Sequence, residues 1–355
     1  MVDRATREVY ESRADDWVAR RKAQDLDALK RLVRGQPGPS VDLGCGPGWH
    51  TEALPHPAIA LDAARAMLQR VPEFAPNALR VQGDLESLPF RPQSLAAAWA
   101  RNSYVHLPRT SIPLALGDLH RSLQVGGRFT IRLFLGEDEG HDTFTDREFG
   151  GRYFSFWKLD QLQNVVVGAG FDIAKTRSLK GEFRDVQLEC VRARTLPDVV
   201  GPHMRILVCG LNPSLYSADA GIGFARPGNR FWPAALSAEL ATVDRDPWHA
   251  FRHHGIGFTD LVKRATVAAA ELTPDEYREG LSRVERLAEW LKPGVVAFVG
   301  LAGWRAAVDR KAVAGLQDES LGGRPVYVMP SSSGLNAHSS VADLADHLRA
   351  ALALV

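Results

Sequence analysis

The fold of the first half of the chain is decided by residues 41–48, which read VDLGCGPG. A short apolar run leads directly into three glycines, and glycine lacks the Cβ that would hold a bound ligand away from the backbone. The loop differs from the dinucleotide fingerprint GxGxxG, because Trp49, His50 and Thr51 follow its last glycine. The stretch predicts the first strand of an open parallel sheet, with a ligand-binding loop at the carboxyl end of that strand.

The residues around this loop alternate between short apolar runs and helix-favouring stretches, which is the pattern of a doubly wound sheet. A leading helical segment is predicted over residues 7–33, before the breaker GQPGP at 35–39. We therefore expect an α/β, Rossmann-like, mostly parallel sheet. Further strands are predicted at residues 59–61, 79–81, 96–100 and 128–134, with a closing antiparallel hairpin at 170–173 and 186–191.

Three acidic residues stand where predicted strands end. Asp42 precedes the glycine loop, Asp62 follows the second strand and Asp84 follows the third. A carboxylate about 20 residues beyond a glycine loop can accept hydrogen bonds from both hydroxyls of a ribose. The spacing predicts an adenosine-type ligand.

The glycine loop, Asp62, GDLESLPF at 83–90 and LQVGGRFTIRLF at 123–134 together resemble the class I S-adenosylmethionine-dependent methyltransferases, over about residues 8–194. The resemblance implies S-adenosylmethionine as the cofactor of this half. The cofactor-binding residues that it implies are Asp42 at the methionine amino group, Gly44, Gly46 and Gly48 along the methionine and ribose, Asp62 at the ribose, and Asp84 with Leu85 at the adenine.

The sequence does not identify the methyl acceptor. Residues 101–106, RNSYVH, would place polar groups near the methyl donor. His106 is open to two interpretations, a general base or a side chain that packs the end of a strand, and we favour the second. Methyl transfer depends mainly on in-line positioning, so a base is optional. The Asn/Asp-Pro-Pro-aromatic signature of nucleic-acid methylases is absent at this point, so a DNA base is not the expected acceptor.

A break at residues 195–198, TLPD, predicts a boundary between two domains, 1–194 and 195–355. Apolar runs at 205–210, 295–300 and 326–329 predict buried parallel strands, and residues 278–291 predict a helix. We expect the second domain to be an α/β/α sandwich around a parallel sheet, with its ligand site in the loops at the carboxyl ends of the strands.

Polar and aromatic residues in these loops predict a pocket for a planar base. In GLNPS at 210–214, the amide of Asn212 can orient a water molecule. In GFARPGNRFW at 223–232, Phe224 can stack on a base. PSSSGLNAH at 330–338 carries Leu335 among small residues, and an exposed leucine gains by inserting into a base stack.

These segments, with GFTDLVKRAT at 257–266, resemble in order the mismatch-specific uracil/thymine DNA glycosylases of the uracil-DNA glycosylase superfamily, over about residues 196–355. The resemblance implies a double-stranded DNA partner that contains a mismatched or damaged pyrimidine. The residue roles that it implies are Asn212 as the catalytic residue that positions the hydrolytic water, Phe224 with Leu211, Pro213, Ser214 and Asn229 as the base-binding pocket, and Leu335 with Gly334 and Asn336 as the DNA wedge that meets the opposite guanine.

Several details of this half bear on substrate and mechanism. No Lys nucleophile is implied, so we expect a monofunctional enzyme that leaves an abasic site. Ser214 is small enough to admit thymine or ethenocytosine as well as uracil. Compared with the family that it resembles, the chain has Ser214 where Gly is more usual, Ser331 where some members have Asn, and Leu301 where Lys is common. Individually, the basic residues Arg226, Arg230, Lys263, Arg264 and Arg305 are expected to be solvated or paired within the domain rather than bound to phosphate.

The composition limits the remaining possibilities. The chain has 355 residues, 43 Lys and Arg against 42 Asp and Glu, and only three cysteines. The balanced charge gives no general support for nucleic-acid binding, so any DNA contact must be local. The three cysteines lack metal-ligand spacing, and no metal site or disulfide framework is expected. No leader or membrane-length apolar run is visible, which predicts a cytoplasmic protein without a membrane partner.

Three interpretations of the whole chain follow. The favoured one is a fusion of a methyltransferase with a DNA glycosylase that removes uracil, and also thymine if the pocket admits it, opposite guanine. In the second, the glycosylase-like half is a non-catalytic module that recruits the methyltransferase to nucleic acid. In the third, the two activities are independent and joined only for co-expression.

Overall fold

The computed structural model describes residues 3–22, 26–141, 143, 149–179 and 184–355. The chain divides into two compact units, one formed by Met1–Val167 and Phe171–Ala193 and the other by Gly168–Gly170 and Arg194–Val355.

The first unit is built on a mixed, mostly parallel sheet. Within the described residues the strand order is β3-β2-β1-β4-β5-β7-β6, with β9 antiparallel to β5 and β8 antiparallel to β9. The strands are β1 (Ser40–Leu43), β2 (Ala58–Asp62), β3 (Leu79–Gln82), β4 (Leu95–Arg101), β5 (Leu123–Leu135), β6 (Glu139–Gly140), β7 (Phe154–Trp157), β8 (Phe171–Leu179) and β9 (Asp185–Arg192). The predicted Rossmann-like sheet with its closing hairpin is confirmed, whereas β6 and β7 were not predicted.

Helices of the first unit cover this sheet. The helices are α1 (Arg4–Ser12), α2 (Ala14–Arg20), α3 (Leu26–Val33), α4 (Arg65–Phe74), α5 (Ile112–Ser122) and α6 (Leu159–Gly168). The prediction of one leading helical segment over residues 7–33 was wrong in detail, because the backbone leaves the helical conformation at Arg13 and again at Arg21. Strand β1 has a parallel neighbour on each side, β2 and β4, and all four of its residues are buried, as is typical of a central strand whose two faces are both covered.

The second unit has a smaller parallel sheet between helices, as predicted. Its described strands follow the order β11-β10-β12-β14-β13, and all neighbours are parallel except β13 and β14. The strands are β10 (Ile206–Gly210), β11 (Ile256–Asp260), β12 (Val295–Val299), β13 (Gly315–Leu316) and β14 (Val326–Met329). The helices are α7 (Leu215–Ala220), α8 (Phe231–Ser237), α9 (Pro247–His254), α10 (Pro274–Leu291), α11 (Leu301–Ala307) and α12 (Val341–Leu352).

The core of the second unit includes one face of helix α10. Helix α10 begins with a reciprocal capping box between Thr273 and Glu276. The face of this helix that carries Val284 and Leu287 packs on the sheet. Strand β11 was not predicted, although its last residue, Asp260, ends at the same sheet edge as Gly210 of β10.

Among the described residues, no helix has the length and apolar character that crossing a membrane requires.

Candidate functional sites

The glycine loop of the first unit has the backbone that its sequence implies. Gly44, Gly46 and Gly48 all adopt left-handed φ values of 71°, 54° and 93°, a conformation that residues with a Cβ rarely adopt. A Cβ at Gly44 would collide with the Cβ of Ser103, whereas no described atom lies within 4 Å of a Cβ built at Gly46. The loop therefore packs closely at Gly44 and leaves open space at Gly46.

Asp42 lies in β1 just before this loop, and Asp62 is the last residue of β2. Asp42 is buried and accepts a hydrogen bond from Thr51 Oγ1 at 2.8 Å, and burial raises the pKa of its carboxyl to about 7. Asp62 accepts the backbone N–H of Gly46 on Oδ2 and that of Ala64 on Oδ1, both at 2.9 Å. Burial raises the pKa of Asp62 to about 6, although these N–H donors oppose the rise. Asp62 thus ties the end of β2 to the glycine loop.

The third predicted acid, Asp84, follows β3. Its Oδ1 accepts the backbone N–H of Glu86 at 3.0 Å, and the adjacent Leu85 is buried. Both residues therefore belong to a tight turn at the sheet edge that also carries Asp62.

Two polar atoms at the end of β4 are buried without a hydrogen-bond partner in the structure, Asn102 Oδ1 and Ser103 Oγ. Asn102 has a left-handed φ of 55°, and Ser103 lies against Gly44. Buried polar atoms are rarely left unsatisfied, so this edge fits a ligand that carries hydrogen-bonding groups. The open space at Gly46, the carboxylate of Asp62 and these two atoms fit S-adenosylmethionine.

His106 is held on both sides of its ring. Nδ1 lies 2.7 Å from the carbonyl oxygen of Tyr153, which can only accept, so Nδ1 donates and Nε2 accepts from the Tyr10 hydroxyl at 2.9 Å. Burial lowers the pKa of His106 to about 4. The ring packs against Phe154, with centroids 4.7 Å apart. The geometry agrees with the structural interpretation of His106 and leaves neither nitrogen open to a substrate.

In the second unit, Asn212 lies just beyond the end of β10. Its Nδ2 donates to the carbonyl oxygen of Arg264 at 2.9 Å and to Thr266 Oγ1 at 2.8 Å, with a longer contact to the Pro213 carbonyl. A carbonyl oxygen cannot donate, so these contacts fix which end of the amide is nitrogen. Oδ1 has no hydrogen-bond partner among the described residues, and it is the atom left to accept a bond from water.

The segment that carries Asn212 is fastened to the loop after β11. Leu261 N–H donates to the Gly210 carbonyl at 2.8 Å, Val262 N–H to the Leu211 carbonyl at 2.9 Å, and Thr266 N–H to the Pro213 carbonyl at 3.2 Å. Thr266 therefore acts on Asn212 from a fixed backbone. Thr266 is the last residue of the GFTDLVKRAT motif, and no pattern in the sequence predicts its contact with Asn212.

Phe224 presents one ring face to the protein. Its ring stacks on Phe231, with centroids 4.3 Å apart and an interplanar angle of 22°. Its Cζ lies 3.5 Å from a Cβ built at Gly210, which places the ring over the end of β10. Phe224 is half-buried, so the stack with Phe231 fixes the ring while part of it stays accessible.

Asp260 is a functional candidate that the sequence analysis missed. Its Oδ1 occupies the space directly over Gly210, where a Cβ would collide with it. Burial raises the pKa of this carboxyl to about 6, and the charge of Asp198 adds to the rise. Asp260 lies at the end of β11, where acids face the ligand edge of a parallel sheet. Because β11 was not predicted from the sequence, no sequence signal placed Asp260 at this edge.

Two predicted pocket residues make structural hydrogen bonds. Ser214 Oγ caps α7 by accepting the N–H of Ser217 at 3.1 Å, and Asn229 Oδ1 accepts the N–H of Phe231 at 2.9 Å at the start of α8. Both residues still border the segments of Asn212 and Phe224. Ser214 is thus the N-cap of α7, Asn229 hydrogen-bonds to the first residue of α8, and the pocket function of both stays a prediction. Leu211 and Pro213, the other pocket candidates, flank Asn212 directly, and Pro213 is buried.

Leu335 is 89% exposed, the highest fraction among the exposed large apolar residues of the described chain. It lies in a loop at residues 330–339 after β14, next to Gly334, and we call this segment the wedge loop. The side chain of Asn336 stabilises that loop: Nδ2 donates to the Ser331 carbonyl at 2.8 Å and Oδ1 accepts the His338 N–H at 3.1 Å. Its mismatch-reading role stays a prediction.

Most of the candidate DNA-contacting cations are engaged within the unit. Lys263 pairs with buried Asp198 at 2.8 Å, Arg264 pairs with Glu276 at 2.6 Å, and Arg305 donates to the Ala312 carbonyl at 2.8 Å. Arg226 is exposed and has no ion pair among the described residues.

In the same described part of the chain, no group of three or more His, Cys, Asp or Glu side chains could hold a metal ion.

The chain is similar to known proteins in both units. Residues 197–354 match the family model of the uracil DNA glycosylase superfamily, and residues 41–127 match the model of a methyltransferase domain.

Solved structures resemble about half of the chain. A chain from the complex of the Haloferax volcanii Trm112 methyltransferase activator with a methyltransferase is 18% identical, covers 54% of this chain and 98% of its own, and has a TM-score of 0.46. An S-adenosylmethionine-dependent methyltransferase from Mesorhizobium loti is 18% identical, with 47% and 100% covered and a TM-score of 0.40. The 1,6-didemethyltoxoflavin-N1-methyltransferase of Burkholderia thailandensis, solved with S-adenosylhomocysteine, is 16% identical, with 53% and 87% covered and a TM-score of 0.44.

The glycine loop and its acids lie within the region that matches the methyltransferase-domain model, and Asn212 lies within the region that matches the uracil DNA glycosylase superfamily model, so the chain combines regions similar to these two families.

Proposed function

We propose that the second unit is a monofunctional DNA glycosylase that hydrolyses the N-glycosidic bond of uracil, and of thymine or ethenocytosine where the pocket admits them, mispaired with guanine. The observation that carries the proposal is the fixed amide of Asn212, whose nitrogen is held by Arg264 and Thr266 and whose oxygen is left to accept.

In the proposed reaction, Asn212 Oδ1 accepts a hydrogen bond from the attacking water and holds its oxygen toward C1′ of the deoxyribose. The bond between C1′ and the base nitrogen breaks, the base leaves as an anion, and the water oxygen becomes the new C1′ substituent. The neutral amide cannot take the water proton, whereas the carboxylate of Asp260 at the same sheet edge can. Positioning and electrostatic stabilisation of the cationic sugar would supply most of the rate.

A covalent route through lysine is disfavoured by the pairing of Lys263. Its ammonium lies 2.8 Å from buried Asp198, which also pairs with Arg283 at 2.6 Å. A lysine whose amino group is engaged in an ion pair is a poor nucleophile. Hydrolysis therefore leaves an abasic site without cleavage of the strand.

Recognition of the base would use the stack of Phe224 on Phe231, which offers a rigid aromatic platform. The short side chain of Ser214, turned to cap α7, leaves room for a 5-methyl group. Leu335 would enter the space that the flipped nucleotide leaves, and main-chain groups around Gly334 would meet the opposite guanine. Mispaired bases would be preferred because they cost less to extrude.

The proposed role of the first unit is S-adenosylmethionine-dependent methylation. The cofactor would supply an electrophilic methyl group. Asp62 would hold the ribose of the cofactor, and Gly46 would lie along its methionine part. The negative charge of Asp42 would attract the amino group of that methionine. Asn102 and Ser103 would satisfy their buried oxygens on the cofactor or the acceptor. His106 would not act as a general base in this reaction, because both of its ring nitrogens are engaged.

The test is single-turnover excision from a labelled duplex with one G:U pair, beside A:U, G:T and single-stranded uracil. Alkali-labile product from G:U that is lost in Asn212→Ala supports the glycosylase. No product at enzyme excess, together with retained duplex binding, would favour the alternative of a non-catalytic recruiting module.

A further inference from the structure

Arg230 connects the base-stacking loop to the wedge loop. It is the residue immediately before α8, whose first residue, Phe231, stacks on Phe224. Its guanidinium donates to three carbonyl oxygens of the wedge loop: Ser333 at 2.8 Å, Asn336 and Ser339. Its backbone N–H donates to a fourth, that of Ser332, at 2.9 Å.

The contact between the two loops is also close in the backbone. A Cβ built at Gly334 would lie 2.9 Å from the carbonyl oxygen of Gly228, so the wedge loop touches the segment just before Arg230. The side chain of Leu335 is not packed against the protein, since 89% of its surface is exposed. A leucine in a loop of serines and glycine has little apolar packing to fix it, and the position of its backbone must come from elsewhere.

We propose that Arg230 is a positioning residue for DNA recognition, which holds Leu335 in the conformation that enters the base stack. This inference rests on the proposed function of the second unit. A planar guanidinium can serve carbonyls in several directions at once, whereas a lysine ammonium acts from a single point. Holding the loop before DNA arrives lowers the ordering cost of binding, and that cost would otherwise reduce affinity.

The test is a double-mutant cycle between Arg230→Lys and Leu335→Ala. Affinity is measured for a duplex with a tetrahydrofuran abasic analogue opposite guanine and for the same single strand without its complement. We expect Arg230→Lys to weaken duplex binding about tenfold and to change single-strand binding by less than about twofold, because only a duplex has a stack to fill. In the Leu335→Ala background the same substitution should cost no more than about twofold, since the side chain that it positions is gone.

A merely structural role would give a different result. Equal losses in both backgrounds, or equal losses on duplex and single strand, would overturn the inference. Arg324→Lys is the matched control, because Arg324 donates to the carbonyls of Pro293 and Gly294 before β12, at the opposite edge of the sheet. Thermal unfolding of each variant identifies general loss of stability. A wild-type protein that binds the abasic duplex but excises nothing would refute the proposed catalysis, while the cycle would still decide the role of Arg230.

Discussion

The side-chain nitrogen of Asn212 lies 2.8 Å from the hydroxyl oxygen of Thr266, to which it donates a hydrogen bond. Thr266 is itself fixed because its N–H donates to the Pro213 carbonyl, and Ser214 and Thr266 form a parallel bridge. The amide of Asn212 is therefore oriented by a neighbour that comes from a different loop. Rotation of that amide by half a turn would place its nitrogen where the water is expected, and a nitrogen cannot accept from water.

The first prediction concerns this pair. Thr266→Val keeps the shape of the side chain but removes the acceptor, so the amide of Asn212 loses one of its two short contacts. We expect the single-turnover rate of G:U excision to fall roughly fivefold to tenfold, as for the loss of one hydrogen bond. Affinity for the abasic duplex should be unchanged. Thr242→Val, which removes an exposed contact to His254, is the control. An unchanged excision rate in Thr266→Val would show that Thr266 does not orient Asn212.

The second prediction is a pH dependence that arises from Asp260. Burial raises the pKa of this carboxyl to about 6, so it loses its charge as the pH falls through 6. A carboxylate that takes the water proton must be ionised, so the excision rate should rise with pH below about 6 and level off above it. Asp260→Asn should lower the plateau about tenfold or more and flatten the profile. Glu279→Gln, an exposed position on α10, should leave both unchanged. The same pH profile in Asp260→Asn would assign the titration to another group.

The positions of these residues show what the sequence can reveal. Asn212, Phe224 and Leu335 could be singled out because a side chain of unusual type follows a strand or stands in a loop of small residues. The fold class could be predicted because buried parallel strands read as continuous apolar runs. Asp260 could not, because β11 contains Gly257 and Thr259 and its short run does not stand out as a strand.

Hydrogen-bond partners limited the remaining predictions. The resemblance implies a pocket function for Ser214 and Asn229, and this function stays a prediction. The structure adds local hydrogen bonds that the sequence did not predict, from the N–H of Ser217 to Ser214 and from the N–H of Phe231 to Asn229. From the sequence, Arg230 is expected to be solvated or paired within the domain, without an identified partner. Its carbonyl partners lie more than 100 residues downstream, and no local pattern indicates such a pairing.

The third prediction separates Arg226 from the engaged cations. Arg226 is exposed in the same loop as Gly228, which contacts the wedge loop at Gly334. If Arg226 neutralises one phosphate, Arg226→Ala should weaken binding of G:U and G:C duplexes by the same factor. It should also reduce the slope of log K against log salt concentration by about 1. Arg278→Ala on α10, where Arg278 pairs with Asp275, should leave the slope unchanged. A loss confined to G:U would indicate lesion recognition by Arg226 instead of a phosphate contact.

The last prediction tests the cofactor site of the methyltransferase domain without its methyl acceptor. The pKa of Asp62 is raised to about 6 and that of Asp42 to about 7, so both carboxylates gain protons as the pH falls from 7.5 to 5.5. A protonated carboxyl holds ribose hydroxyls and an ammonium group less well, so S-adenosylhomocysteine should bind about tenfold more weakly at pH 5.5 by calorimetry. Asp62→Asn should weaken binding at pH 7.5 and reduce the ratio between the two pH values, whereas Glu73→Gln on α4 should preserve both. Equal affinity of the wild-type protein at the two pH values would mean that neither acid reaches the ligand. Any effect of these two carboxyls would then be on the stability of the unliganded fold alone. Because their pKa values are raised in the folded state, protonation stabilises that state as the pH falls.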